Sequence, residues 1–94
     1  MPKAIWNGKI VAESDRTQTV DGIVYFPETS LKREYLRPST TTSTDPVKGQ
    51  ARYLNLFIDG QDNPDAAWYY PAPKPAARAI KGYVAFWRGV DVEP

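Results

Sequence analysis

The sequence predicts a mostly-β fold: a compact curved sheet or small barrel of about seven to eight short strands with one or two short helices. Three observations predict it. Asn-Gly and Asp-Gly pairs separate short apolar runs near the N-terminus. Turn-forming residues recur at even intervals along the chain, as an all-β domain requires. The longest apolar run, residues 51–58, alternates large side chains in the manner of a strand.

Ala4-Ile5-Trp6, Asn7-Gly8 and Lys9-Ile10-Val11-Ala12 read as a two-residue hairpin. Asn-Gly takes positive φ at both central positions, which a type I′ turn demands. Thr17 to Val20, Asp21-Gly22 and Ile23 to Phe26 repeat the arrangement. Pro27 closes that strand, because proline donates nothing to a ladder. Thr29 or Ser30 suits the cap of a single helical turn over Leu31, Lys32 and Arg33. Glu34 to Arg37 reads as a short strand stopped by Pro38. Ser39 to Thr44 are six consecutive hydroxyl residues, compatible with an edge strand or a solvated loop.

Ala51 to Ile58 places Leu54, Leu56 and Ile58 on one face, and Tyr53 and Phe57 beside Asn55 on the other. Both faces are apolar, so this strand is expected to be covered twice or to line a groove. A turn or loop runs from Asp59-Gly60 to about Pro64-Asp65, and Ala66 to Tyr70 returns as a strand. Pro71, Pro73 and Pro75 impose an extended connection. Pro75 suits the first position of a short helix to Lys81, with Gly82 as its stop. Tyr83 to Trp87 is a strand, and Gly89 turns it into Val90 to Glu93.

Ninety-four residues fit one domain, 1–94, and leave no room for a second core. Cysteine and histidine are both absent. Disulfides, thiolate nucleophiles, zinc ribbons, and the Ser–His and Cys–His dyads are therefore excluded. A net charge of +1 with interspersed signs gives no basic field, so nucleic acid is not an expected partner. No run resembles a signal peptide or a membrane span, and the expected compartment is the cytoplasm.

Four constellations carry possible chemistry. Asp59, Asp62, Asn63 and Asp65 could surround a divalent cation, but their spacing departs from the calcium-loop pattern, and turn formation accounts for them. The expected metal set is none. Lys74, Arg78 and Lys81 would share one helical face, either solvated or facing an anion. Trp68, Tyr69 and Tyr70 could wall a flat ligand or belong to the core. Lys48-Gly49 is not a phosphate loop, since the earlier glycine and the following helix are missing. A lysine at a strand entrance still presents an ammonium to an anion.

Lys48-Gly49-x-Ala51-x-Tyr53, Ala66-Ala67-Trp68-x-Tyr70-Pro71-x-Pro73 and Ile80-Lys81-Gly82-Tyr83-Val84-Ala85-Phe86 together resemble the bacterial domain-of-unknown-function 427 family. Tyr25-Phe26-Pro27 and Leu36-x-Pro38-Ser39 fit the same pattern upstream. The resemblance spans nearly the whole chain and implies a small, compact β-rich domain, in a family sometimes given a nucleotidyltransferase label. Many members carry a Cys-Pro pair before the Lys-Gly. Here that position is Asp45, so a thiol activity of the family would not carry over.

The leading expectation is an uncharacterised domain that binds a small molecule or anion. Its pocket would lie between the Lys48 loop and the Trp68–Tyr70 wall, with Tyr25, Tyr53 and Asp45 as further ligand-binding candidates. One alternative is a metal-assisted nucleotide enzyme using Lys48 with Asp45, Asp59 or Asp62. Another is a protein-interaction module. No residue specifies a cofactor, and the expected state is a monomer or weak homo-oligomer.

Overall fold

The computed structural model describes residues Met1–Pro94. Nine strands form: β1 (Lys3–Trp6), β2 (Lys9–Glu13), β3 (Gln18–Val20), β4 (Ile23–Pro27), β5 (Leu36–Asp45), β6 (Gly49–Ile58), β7 (Gln61–Tyr69), β8 (Tyr83–Phe86) and β9 (Asp91–Glu93). They make two antiparallel sheets, a small one in the order β2-β1-β9 and a larger one in the order β3-β4-β8-β7-β6-β5. Neither sheet closes, so the curved sheet forms and the barrel alternative does not. The count exceeds eight because the three-residue strands β3 and β9 both find a partner edge.

The hairpins at Asn7-Gly8 and Asp21-Gly22 form as expected, with positive φ at all four residues. A third such turn, Asp59-Gly60, joins β6 directly to β7. The loop expected over residues 59–65 is thus a strand from Gln61 onward. Pro64 survives inside β7 because the ladder breaks there: Leu56 pairs with Asn63, and Leu54 with Ala67. Three β7 residues oppose one of β6, a bulge that removes proline from the ladder. Asp65 takes positive φ in that bulge, and the Asn55 side-chain oxygen accepts its N–H at 2.8 Å.

A matching bulge lets β5 run through Pro38 instead of stopping there, with Pro38 opposite Leu54 and Thr42 opposite Arg52. The hydroxyl run from Ser39 to Thr44 is therefore an edge strand. The Asp65 carboxylate ties the two bulges together across β6, accepting Ser39 Oγ at 2.5 Å and Thr41 Oγ1 at 2.8 Å. Those two hydroxyls hold its pKa below the usual carboxylate value. Bulges bend strands and increase twist, which accounts for the curvature.

The expected helices are short 3-10 turns at Glu28–Ser30, Arg33–Tyr35 and Pro75–Ile80. No helix crosses Leu31 to Arg33, because Leu31 bridges to Ala12 and the Lys32 N–H donates to the Val11 carbonyl at 2.8 Å. Pro75–Ile80 is kinked at Ala77 and too short to offset the cost of α-helix nucleation. Lys74, Arg78 and Lys81 consequently do not form an α-helical stripe.

The larger sheet buries both faces, as the apolar residues on both sides of β6 predict. Toward the small sheet, Phe26, Leu56, Ile58, Val84 and Phe86 pack with Ala4, Val11 and Ala12. The opposite face carries Tyr25, Ala51, Tyr70 and Ala85, covered by Ala77 and Ile80 of the 3-10 segment. No helix is long and apolar enough to cross a membrane.

Candidate functional site

The second face is incompletely filled. A cavity of about 220 Å³ opens there, lined by Tyr25, Asp45, Lys48, Tyr53, Trp68 and Tyr70, together with Ile23 and Trp87. All six residues singled out from the sequence therefore meet in one space. Strand alternation delivers three of them, Tyr25 from β4, Tyr53 from β6 and Trp68 from β7, along with Ile23 from β4, and Tyr70 directly follows β7.

A tight turn supplies the rest. Pro46, Val47 and Lys48 join β5 to β6, with Asp45 paired opposite Gly49. Asp45 Oδ1 accepts the backbone N–H groups of Val47 at 2.8 Å and Lys48 at 2.9 Å. Those two hydrogen bonds hold the Asp45 carboxyl below the ordinary carboxylate range. Gly49 has φ +110°, and a Cβ there would meet the Ala72 carbonyl oxygen at 3.4 Å. The proline-rich segment backs the turn through Lys74 N–H to Lys48 O at 2.9 Å, and Lys74 Nζ to Pro46 O at 2.8 Å. Lys74 is thus a brace for the turn.

Lys48 is the only cation lining the cavity. Its side chain is 13% exposed, and Nζ lies 2.8 Å from Asp21 Oδ2 and 3.9 Å from Asp45 Oδ2. The hydrogen bond to Asp21 leads in holding the ammonium above its ordinary pKa, so Lys48 stays charged and does not act as a free amine.

Five aromatic residues bring polar heads to the cavity. Two are used inside the protein: Tyr53 Oη lies 2.9 Å from Ser43 Oγ, and Trp87 Nε1 donates to the Asp65 carbonyl. The Tyr70 hydroxyl makes no hydrogen bond within the protein, and the Tyr25 hydroxyl meets only the Trp68 indole N–H. No buried side-chain polar atom is left without a partner, so the Tyr70 hydroxyl keeps contact with solvent at the cavity its side chain lines. Burial raises the pKa of both phenols, with the nearby Trp68 indole N–H and Lys48 opposing the rise at Tyr25. Tyr25 meets Trp68 edge-on at 6.3 Å between centroids, and Trp68 meets Trp87 edge-on at 5.6 Å.

The model of one family, described as a domain of unknown function (DUF427), matches residues 2–93. The chain belongs to the DUF427 family. The family model's name carries a nucleotidyltransferase label, while its description leaves the function open. No curated protein matches the chain. The DUF427 motifs quoted from the sequence acquire physical reasons here. Gly49 answers to its φ and the close Ala72 carbonyl, and Lys48, Tyr53, Trp68 and Tyr70 all border the cavity.

The carboxylates of the metal-assisted alternative are not brought together. Asp59 lies just beyond the far end of β6, ten residue steps from Gly49, or about 33 Å along the strand. Asp62 pairs opposite Phe57 at that same end. Asp21, Ile23 and Trp87 are site residues that sequence reasoning missed. Asp21 was legible only as a turn former, and Trp87 only as the end of an apolar run. A second cavity of about 170 Å³ includes Leu31, Leu54 and Val84, but its charged residues, Glu28 and Arg33, already bind each other at 2.6 Å.

Proposed function

We propose that this DUF427 chain acts as one unit that binds a small molecule or anion in the cavity beside Lys48. The observation that carries the reading is the convergence of polar heads from Tyr25, Trp68 and Tyr70 on a cavity that also receives the half-buried side chain of Lys48. A small, mostly apolar cavity with a few convergent polar groups is the ordinary form of a small-molecule site. The proposed ligand acts on a monomer or weak homo-oligomer in the cytoplasm.

A thermal-shift screen with nucleotides, sugar phosphates, small carboxylates and divalent metal ions tests this. A ligand at 100 times its dissociation constant adds about 2.7 kcal/mol, a rise on the order of 10 °C for a domain of this size. The expected result is at least one such ligand, with its shift lost in Lys48→Ala. A ligand whose shift survives both Lys48→Ala and Tyr70→Phe would place the site elsewhere.

A further inference from the structure

We propose that the cavity takes a planar aromatic carboxylate, with its carboxylate on the Lys48 ammonium in place of Asp21 and its ring against Trp68, Trp87 and Tyr53. This inference rests on the reading of the cavity as a ligand site and names the class of ligand.

Charge selects a monoanion. Lys48 faces both Asp21 and Asp45, so these three groups sum to −1. A phosphate carrying between one and two negative charges would meet two carboxylates with one ammonium between them. A monoanion avoids most of that repulsion if one carboxylate leaves. Asp21 is the one free to leave: its side chain is 71% exposed at the tip of the β3–β4 hairpin, where solvent replaces the contact. The Asp21 end of the pair is exposed, so water replaces Lys48 there at little cost. Asp45 is not free, because two backbone N–H groups of the turn depend on its Oδ1.

Donor chemistry and size agree with a carboxylate. The Tyr25 and Tyr70 hydroxyls and the Trp68 N–H are neutral donors, suited to oxygens that only accept. The volume of about 220 Å³ falls below the roughly 300–1,000 Å³ of drug-sized pockets, and suits a single ring better than a nucleoside triphosphate. The walls are aromatic, with Tyr25, Tyr53 and Trp68 contributed by β4, β6 and β7, and Trp87 is 42% exposed, leaving indole surface for a ring to cover. Aromatic pairing adds a preference over an equally sized aliphatic ring.

The test is a titration of the full chain, followed by the indole N–H signals of its three tryptophans in ¹⁵N-resolved spectra. Trp6 packs with the opposite face and serves as the internal control. The probes are benzoate, cyclohexanecarboxylate (charge without π system), benzamide (ring without charge) and inorganic phosphate. Benzoate is expected to move Trp68 and Trp87 but not Trp6, and to bind two- to tenfold tighter than cyclohexanecarboxylate. Asp21→Asn should tighten benzoate by up to about fivefold and leave benzamide unchanged. Asparagine tolerates the positive φ of this position, so the variant keeps the turn. Lys48→Met should weaken benzoate at least tenfold.

Equal binding of cyclohexanecarboxylate, stronger binding of phosphate, or an Asp21→Asn variant with unchanged benzoate affinity would each overturn the assignment. In those cases the cavity reading still stands if Lys48→Met weakens whichever ligand the broader screen finds. If no compound in either set moves Trp68 or Trp87, both fall together.

Discussion

Tyr25 and Phe26 are neighbours on β4 and both are buried, yet they serve opposite faces of the larger sheet. Phe26 enters a face closed by a second sheet, meeting Phe86 edge-on at 5.8 Å among buried residues that are all hydrocarbon, with Trp6, Tyr35 and Tyr69 only at the margin. Tyr25 enters a face closed only by a 3-10 segment and a proline-rich connection, and its hydroxyl reaches a cavity. The second sheet covers most of the face that Phe26 enters, leaving the smaller cavity beside Leu54 and Val84, whereas six residues of 3-10 turn cover only one end of the other face. The uncovered remainder is where tyrosines and tryptophans, apolar in body and polar at the tip, are suited to stand. The dry face holds the fold together. The open face is the one on which we propose that a ligand binds.

The largest expected effects fall on the dry face. Leu56→Ala removes a side chain with no exposed surface and should destabilise by about 2–5 kcal/mol, read from urea unfolding. Phe26→Tyr adds one oxygen where no partner awaits it and should lose about 1–3 kcal/mol. If Phe26→Tyr unfolds at the parent's urea midpoint, the two faces do not differ in dryness as described.

Gly49→Ala probes the turn that carries Lys48 into the open face. A φ of +110° lies outside the region that alanine adopts comfortably, and its Cβ would press the Ala72 carbonyl oxygen. A loss of about 1–3 kcal/mol is expected, again by urea unfolding. The comparison sharpens if Gly49→Ala also weakens ligand binding, because its strain acts directly beside Lys48. A parent-like midpoint would mean that the turn relaxes without strain.

How much of this was legible in the sequence depended on whether the deciding interaction was local. Asn7-Gly8 and Asp21-Gly22 announced their hairpins because backbone φ alone decides such turns. The strand over residues 51–58 was legible from alternation. Residues 59–65 read as a loop because Asp, Asn and Pro are poor strand formers, and only the long-range bulge, patched by Asn55 and tied to Ser39 and Thr41, keeps them in the sheet. Pro38 misled for the same reason. Lys48, Tyr53, Trp68 and Tyr70 were nominated by residue type and motif, and strand alternation carried three of the six candidates into the cavity. Asp21 and Trp87 depended on contacts spanning 27 and 22 residues, to Lys48 and Asp65, which no local pattern encodes.

The smallest expected effect on stability is also the most discriminating. Tyr25→Phe removes a hydroxyl whose only partner in the protein is the Trp68 indole N–H, so at neutral pH the variant should unfold within about 1 kcal/mol of the parent. The same deletion behaves differently at high pH. Burial holds the folded-state pKa of Tyr25 above the unfolded value of 10.0. The unfolded chain therefore loses this proton first, and stability that is intact below pH 10 declines as the pH rises through the folded-state value. Tyr70, also raised by burial, contributes in the same direction. Phenylalanine at position 25 has no proton to lose, so the variant should show a shallower alkaline decline, measured as the urea midpoint between pH 8 and 11. Ligand binding should weaken although stability at pH 7 does not. A hydroxyl that mattered to the fold would show the reverse, a clear loss at pH 7 with ligand affinity unmoved, and the distinction between the two faces would then fail at the residue where it is sharpest.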